Sequence, residues 1–200
     1  MEFDAASVAG ERITEDAEYE GIRIRFKGHL STARIGMHLD IGFGDIIVPG
    51  TQQLTYPTIL KMPAPSIHCY SREAVIAEKF EAMTKLGIIN SRMKDFYDIW
   101  LLSHLYEFDG RVLSKAIDAT FSQRGTKIDP GSVALTDAFS QDPTKQTQWG
   151  AFVRKSQIED SPGDLREVVG RLALFLTPVA EALAADTLLE RTWKPPGPWL

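Results

Sequence analysis

The spacing of apolar residues changes near residue 70, and this change limits the possible folds more than any other feature of the sequence. From Gly21 to Lys27 apolar and basic side chains alternate, which is the two-residue period of a half-buried strand. Beyond Tyr70 the apolar residues recur at helical spacing instead. The sequence therefore predicts an α+β chain, with a sheet region over residues 1–70 and a helical C-terminal region over residues 71–200.

A second strand is predicted from about residue 37 to 48, with Asp40 on the face away from the core. The side chains expected to face the core are Met37, Leu39, Ile41 and Phe43. The following segment, up to Tyr70, is predicted to be an irregular connector or a pair of short edge strands, because proline cannot donate a ladder hydrogen bond. Its four prolines are Pro49, Pro57, Pro63 and Pro65.

Five helices are predicted in the second region. Ser71 is a candidate N-cap for a helix that ends near Gly87, and Asn90 or Ser91 would cap the next, which runs to about Tyr106. The others are expected at 110–122, 143–157 and 163–186, with Pro178 kinking or ending the last. The tail WKPPGPWL is too rich in proline for regular structure, but its two tryptophans predict that it packs on the domain.

Composition limits the functional classes. A net charge of −5 gives no general positive field, so contact with nucleic acid would need a local basic patch or metal ions. The sequence contains no long apolar run, no N-terminal signal sequence and no cysteine besides Cys69. These features predict a cytoplasmic protein without a membrane partner. The motifs GxxxxGK[ST], GxGxxG, HExxH and GxSxG do not occur, which disfavours hydrolase and dehydrogenase functions.

The first predicted helix carries a lysine within its apolar stripe. Ile76, Phe80 and Met83 define that stripe, and Lys79 falls inside it. Lys79 either extends its aliphatic stem along the core with its ammonium in water, or provides a cation for a phosphate at the floor of a cleft. The side of the helix opposite the stripe would carry Glu78, Glu81 and Lys85.

The second predicted helix, MKDFYDIWLLSHLY, is apolar around most of its circumference, yet Asp95 and Asp98 share one face. Carboxylates on a buried helix need partners. Lys94 for Asp98, Arg92 for Asp95 and the helix dipole are the local candidates. The alternative is that one aspartate faces Lys79 or a substrate.

Asp40 lies in the segment HLDIGFGD, where glycines on the same strand face leave room for a ligand to approach. If the two strands pair, the basic residues Arg23, Arg25 and Lys27 flank Asp40. The arrangement predicts either a surface salt bridge, or a magnesium ligand beside a cationic surface that receives phosphates.

Several ordered motifs resemble one known family. HLDIGFGD, the proline-rich connector with YPTIL, EAVIAEKFEAM and NSRMKDFYD are similar to the nucleotidyltransferase-like AbiEii/AbiGii toxin family over about residues 20–105. The resemblance implies a small mixed sheet that carries acidic residues, followed by a helical part that closes a cleft. It also implies a toxin of a bacterial toxin–antitoxin or phage-defence (abortive-infection) system, with a separate antitoxin as partner.

The resemblance also implies roles for individual residues. Asp40 would be the third carboxylate of a Mg²⁺ site, and Lys79 would hold the triphosphate of an NTP substrate. Asp95 would be the aspartate of the late motif, supported by Asp98 and Lys94. Lys79, Asp95 and Asp98 are then the candidate catalytic residues, and Lys79, Arg23 and Arg25 the candidate nucleotide-binding residues. The expected reaction transfers a nucleotide to RNA, with tRNA as the expected acceptor, or to protein.

The family's first motif, a glycine-rich GG[ST] turn followed by an acidic pair, does not occur in residues 1–36. We therefore expect a truncated chain, a misplaced start or a degenerate member, and loss of nearly all transfer activity from the chain as it stands. A missing segment would expose a strand edge, so self-association is expected. Two other functions stay open: a non-catalytic module that binds a nucleotide or protein, and a structural domain in which Lys79, Asp95 and Asp98 form an internal ion-pair network.

Overall fold

The computed structural model describes residues 1–15, 19–157 and 162–200. The chain forms two compact units, Met1–Asp45 and Ile46–Leu200. Within the second unit the first helix begins at Arg72, directly after Ser71. The division into functional domains at residue 70 stays a prediction. None of the helices in the described ranges is both long and apolar enough to cross a membrane.

The first unit is a three-stranded antiparallel sheet in the order β1-β2-β3. Its strands are β1 (Glu2–Glu15), β2 (Tyr19–Leu30) and β3 (Ala33–Gly42). The alternation seen from residue 21 to 27 correctly predicts the centre of β2. The β1 strand was not predicted, because its apolar residues do not alternate regularly along the chain; its register against β2 shifts between Asp4 and Ala9.

The predicted second strand is wrong in its position and in the burial of its apolar face. The β3 strand starts at Ala33 and ends at Gly42, and Gly44 takes a φ of +90°, a conformation that glycine adopts readily and that turns the chain out of the strand. Leu39 and Phe43 are 56% and 58% exposed. The described residues of this unit form strands and turns, so the sheet has no second layer within the unit to cover them.

The proline-rich segment forms a short hairpin, which confirms the predicted alternative of short edge strands. Strand β4 (Gln52–Thr55) pairs antiparallel with β5 (Ser66–Cys69). All pairings among the described strands are antiparallel, so the sheets are not mixed as the resemblance implied. The α+β class itself is confirmed.

All five predicted helices are present, within a few residues at each end. Ser71 caps the first helix by accepting a hydrogen bond from the Ala74 amide at 3.1 Å, and Gly87 follows its last residue with a φ of +51°. A short helix after residue 136 was not predicted. The helices are α1 (Arg72–Leu86), α2 (Met93–Leu105), α3 (Gly110–Gln123), α4 (Asp137–Ser140), α5 (Pro143–Ser156) and α6 (Leu165–Ala184).

Pro178 does not end the last helix, since α6 continues through it to Ala184. The reason is burial: α6 is the central helix of the second unit, and its apolar face on both sides of Pro178 is excluded from water. The fully buried side chains of that face include Leu172, Phe175, Leu176 and Val179.

The C-terminal tail packs against this core, as its tryptophans predicted. Strand β6 (Phe108–Asp109) pairs with β7 (Thr192–Trp193). The Trp193 indole is fully buried and donates to the Ser103 carbonyl at 2.7 Å, and the Trp199 indole donates to the Phe175 carbonyl at 2.9 Å. The tail is therefore part of the folded unit.

Because Trp193 fills the core and satisfies a buried carbonyl, we expect Trp193→Ala to lower the free energy of unfolding by about 3–5 kcal/mol. Urea denaturation followed by circular dichroism measures this change. Leu200→Ala, in the same tail but exposed, is the matched control and should change stability by less than about 0.5 kcal/mol. Equal stability of the two variants would show that the tail is not part of the cooperative core.

Candidate functional site

Helix α1 places Lys79 at the margin of the core. Ile76, Phe80 and Met83 are fully buried, as the apolar stripe predicted. The Lys79 side chain starts from the same face but keeps 19% of its surface accessible. Its stem therefore lies along the core while the ammonium reaches the edge, which is where the helical spacing predicted it.

Helix α2 presents Asp95 and Asp98 on one face, one turn apart. The neighbouring residues Phe96 and Ile99 are fully buried and fix the rotation of the helix. The Asn90 side chain accepts a hydrogen bond from the Arg92 amide at 2.8 Å, directly before the first helical residue. Packing and this turn together aim both carboxylates towards α1.

Lys79 joins the two aspartates. Its Nζ lies 2.5 Å from Asp95 Oδ1 and 2.9 Å from Asp98 Oδ2. Lys94 Nζ lies 2.6 Å from the same Asp98 oxygen, so the local and the long-range partners predicted for Asp98 are both present. Asp95 and Asp98 are 15% and 20% exposed, whereas Lys94 is 71% exposed. We call Lys79, Asp95, Asp98 and Lys94 the α1–α2 network.

The pKa of Lys79 is raised above the ordinary value of 10.5. Burial alone would lower the pKa by disfavouring the charged ammonium, but the hydrogen bonds and negative charges of Asp95 and Asp98 outweigh that effect. Lys79 is therefore a cation at neutral pH and is held in place by two anions.

Asp40 forms the surface salt bridge that was one of its two predicted states. It lies opposite Arg23 in the β2–β3 register, and Arg23 Nε and Nη2 donate to its two oxygens at 2.7 and 2.8 Å. The Arg23 hydrogen bond is the main reason that the pKa of Asp40 lies below its ordinary value. Arg25 lies 2.7 Å from Glu11. These three predicted residues belong to the first unit, and the α1–α2 network belongs to the second.

The carboxylates are not arranged as a magnesium site. Both oxygens of Asp40 accept from Arg23, and the ammonium of Lys79 binds both Asp95 and Asp98. Across residues 1–15, 19–157 and 162–200, no group of three or more His, Cys, Asp or Glu side chains is placed to hold a metal ion. Magnesium binding therefore stays a prediction that rests on the resemblance.

Glu81 is a buried residue that the helical pattern placed on the wrong side. It was expected on the outer face of α1, yet it is only 2% exposed. Arg124 Nη1 donates to it at 2.9 Å and Thr126 Oγ1 at 2.5 Å. Helix α3 covers this side of α1, and a partner more than forty residues away leaves no signal in local periodicity.

Lys145 was not singled out from the sequence and is 4% exposed. Its Nζ donates to the Asn90 carbonyl at 2.8 Å and to Gln148 Oε1 at 3.2 Å. Its position in the first turn of α5, after Asp142 and Pro143, gave no indication of burial. This lysine contacts the turn from which α2 starts.

The chain has the α+β class that the sequence motifs implied, and Lys79 of α1 lies against Asp95 and Asp98 of α2. A family model described as the nucleotidyl transferase AbiEii toxin of type IV toxin–antitoxin systems matches residues 2–184, and the chain belongs to this family. The family suggests a nucleotidyltransferase-like toxin, and it implies a cognate antitoxin. No curated protein and no solved structure matches the chain.

The α1–α2 network generates a stability prediction. Lys79→Met leaves two half-buried carboxylates facing each other without their shared cation, so we expect a loss of about 2 kcal/mol, between the values for exposed and fully buried pairs. Lys94→Met removes an exposed partner of Asp98 and should cost less than about 0.5 kcal/mol. Urea denaturation of both variants measures the difference. Equal losses would contradict a central role for Lys79.

The raised pKa of Lys79 generates a pH prediction. Because the folded pKa exceeds the unfolded value, the stabilisation is complete below the ordinary value of 10.5 and is lost as pH rises through the folded pKa. The difference in free energy of unfolding between wild type and Lys79→Met should therefore stay constant from neutral pH to about pH 10.5. Above that pH it should become smaller. A difference that widens at high pH would contradict the assignment.

Proposed function

We propose that the α1–α2 network is the phosphate-holding part of a nucleotidyltransferase site, and that Lys79, Asp95 and Asp98 are its working residues. The observation that carries this proposal is the geometry of Lys79: a cation at the edge of the core, fixed by two aspartates of the next helix. A purely structural helix pair gains little from this arrangement, because apolar residues fill such a position at lower cost. A fixed cation is what a triphosphate requires.

In the proposed reaction an acceptor hydroxyl attacks the α-phosphorus of an NTP. A bond forms between the acceptor oxygen and the α-phosphorus, the bond from that phosphorus to the oxygen that bridges to the β-phosphate breaks, and pyrophosphate leaves. The proton of the acceptor hydroxyl is released to water. Lys79 neutralises charge on the triphosphate and on the leaving pyrophosphate. Its raised pKa keeps it protonated throughout, so it acts by charge and position rather than by transferring a proton.

Asp95 orients the ammonium of Lys79, since Asp95 Oδ1 and Lys79 Nζ are 2.5 Å apart. Asp98 is shared between Lys79 and Lys94. When a phosphate binds, Lys79 exchanges part of its contact with Asp98 for a phosphate oxygen. Lys94 can then neutralise the Asp98 carboxylate, because it already lies beside the same oxygen.

For the first unit, considered by itself, we propose that Arg23 and Arg25 provide positive charge for a phosphate, and that Asp40 serves as the magnesium ligand implied by the resemblance. Both roles require exchange of partners, since Arg23 now binds Asp40 and Arg25 binds Glu11. An arginine that exchanges a carboxylate for a phosphate keeps the same bidentate geometry.

For the biological setting we propose a cytoplasmic toxin that transfers a nucleotide to RNA, with tRNA as the first acceptor to test, or to a protein. Activity would be opposed by the cognate antitoxin and would serve phage defence. Self-association through the open strand edges of the first unit is part of the proposal.

A second candidate function is a non-catalytic module that binds a nucleotide or a protein partner. The specific observation in its favour is that both Asp40 oxygens are held by Arg23, an arrangement that competes with metal binding. This candidate predicts that NTP stabilises the folded chain but is not consumed.

The test is a transfer assay with α-labelled NTPs, magnesium and a tRNA pool, using Asp95→Asn as the main variant. Because residues 1–36 lack the glycine-rich turn and the acidic pair, we expect only residual transfer from the wild type. Asp95→Asn keeps the shape of the side chain but removes the charge that holds Lys79, so we expect this residual transfer to fall by about a hundredfold or more. Asp118→Asn, an exposed aspartate on α3, is the matched control and should retain full activity.

The outcomes separate the candidate functions. NTP-induced thermal stabilisation without transfer would favour the binding module. If NTP neither stabilises the chain nor reacts, the α1–α2 network is structural.

A further inference from the structure

Lys145 is buried in a position that is unfavourable for a lysine. It is the third residue of α5, where the positive end of the helix dipole disfavours a cation, and it is 4% exposed. An apolar side chain of similar length would avoid both costs. The contacts that only a donor can make must therefore explain what the lysine contributes.

The main contact of Lys145 is with the turn that precedes α2. Its Nζ donates to the Asn90 carbonyl at 2.8 Å. Asn90 is fully buried and lies between a 3₁₀ turn (Gly87–Ile89) and α2, where a carbonyl has no helical partner of its own. Without Lys145 this carbonyl would lose its donor, and the turn would lose its attachment to α5.

The turn in question sets the start of α2. The Asn90 side chain accepts from the Arg92 amide at 2.8 Å, and Asp95 follows within the first helical turn. A shift at Asn90 is therefore transmitted through a few backbone bonds to Asp95. The contact between Lys79 and Asp95 is 2.5 Å long, so it is sensitive to small displacements.

A second connection runs through aromatic rings. The Lys145 ammonium lies 5.4 Å from the ring centroid of Phe139, and Phe139 stacks on Phe96 with centroids 4.9 Å apart. Phe96 is the chain neighbour of Asp95. The first turn of α2 is therefore held both at its preceding turn and at Phe96 by groups that contact Lys145.

We propose that Lys145 is a positioning residue, whose ammonium holds the turn at Asn90 and thereby fixes Asp95 against Lys79. The effect of Lys145 on catalysis rests on the proposed function, but its effect on the position of Asp95 does not. Lys145 would touch neither the nucleotide nor the acceptor. Its effect would reach the site only through α2.

The first test measures the coupling free energy between Lys79 and Asp95. Free energies of unfolding of the wild type, Lys79→Met, Asp95→Asn and the double variant give this coupling, and the same cycle is repeated in the Lys145→Met background. We expect the coupling to fall by about half or more, because Asp95 no longer has a fixed position. Loss of global stability alone would leave the coupling unchanged.

Lys155→Met is the matched control, since Lys155 is an exposed lysine of the same helix. The coupling should be the same in this background as in the wild type. Full coupling retained in Lys145→Met would overturn the proposal. If Lys145→Met does not fold, Lys145→Gln keeps a polar side chain but ends one bond short of the Nζ position, so it loses the reach to the Asn90 carbonyl. Full coupling retained in that variant would equally overturn the proposal.

The second test is the transfer assay on the same variants. Lys145→Met should lower kcat by about tenfold or more, and Lys155→Met should leave it unchanged. If the wild type transfers no nucleotide, the proposed function fails, while the coupling measurement still decides the role of Lys145. A lowered coupling with unchanged kcat would show that Lys145 positions Asp95 but that Asp95 does not limit catalysis, which overturns the catalytic part of the proposal.

Discussion

The packing of the second unit depends on one interaction, which allows helix α2 to be buried although it carries Asp95 and Asp98. The helix packs against α6, α5 and α1, with Phe96 stacked on Phe139 of α4 and Tyr97 against Phe152 of α5. In this packing Asp95 and Asp98 face Lys79 of α1. Two carboxylates one turn apart, only 15% and 20% exposed, repel each other unless a cation lies between them. Lys79 supplies that cation from α1. The ion pair is thus a condition for packing the two helices together.

Much of this arrangement follows from local sequence. The Ser71 cap, Gly87 and the apolar stripe define α1, and the spacing of Asp95 and Asp98 places them on one face of α2. These signals act within a few residues, where helical geometry converts sequence directly into position. The pairing of Lys79 with the aspartates was predicted only as an alternative, because periodicity gives the face of each helix but not how the two helices are arranged.

What the sequence did not show depends on distant partners. Glu81 is buried by Arg124, and Lys145 binds the Asn90 carbonyl fifty-five residues away along the chain. In both cases a charged residue with ordinary local surroundings is buried because it pairs with a segment that is distant along the chain. The exposed apolar face of β3 is the reverse case: alternation predicted a buried face, but burial needs a second layer, which strand periodicity does not encode.

If the proposed function holds, one set of contacts in the α1–α2 network would serve both stability and phosphate binding. Two aspartates for one half-buried lysine leave the group with an excess of negative charge, which the exposed Lys94 reduces. A phosphate that binds Lys79 must compete with Asp98, and the cost of that exchange is lowered because Lys94 remains beside the displaced carboxylate. The Asp98 carboxylate would therefore keep a cationic partner after a phosphate displaced it from Lys79, and little of the free energy of the phosphate contact would be lost. Under the proposed function, this network would keep its lysine charged and positioned before a nucleotide arrives, which is the condition for electrostatic catalysis without reorganisation.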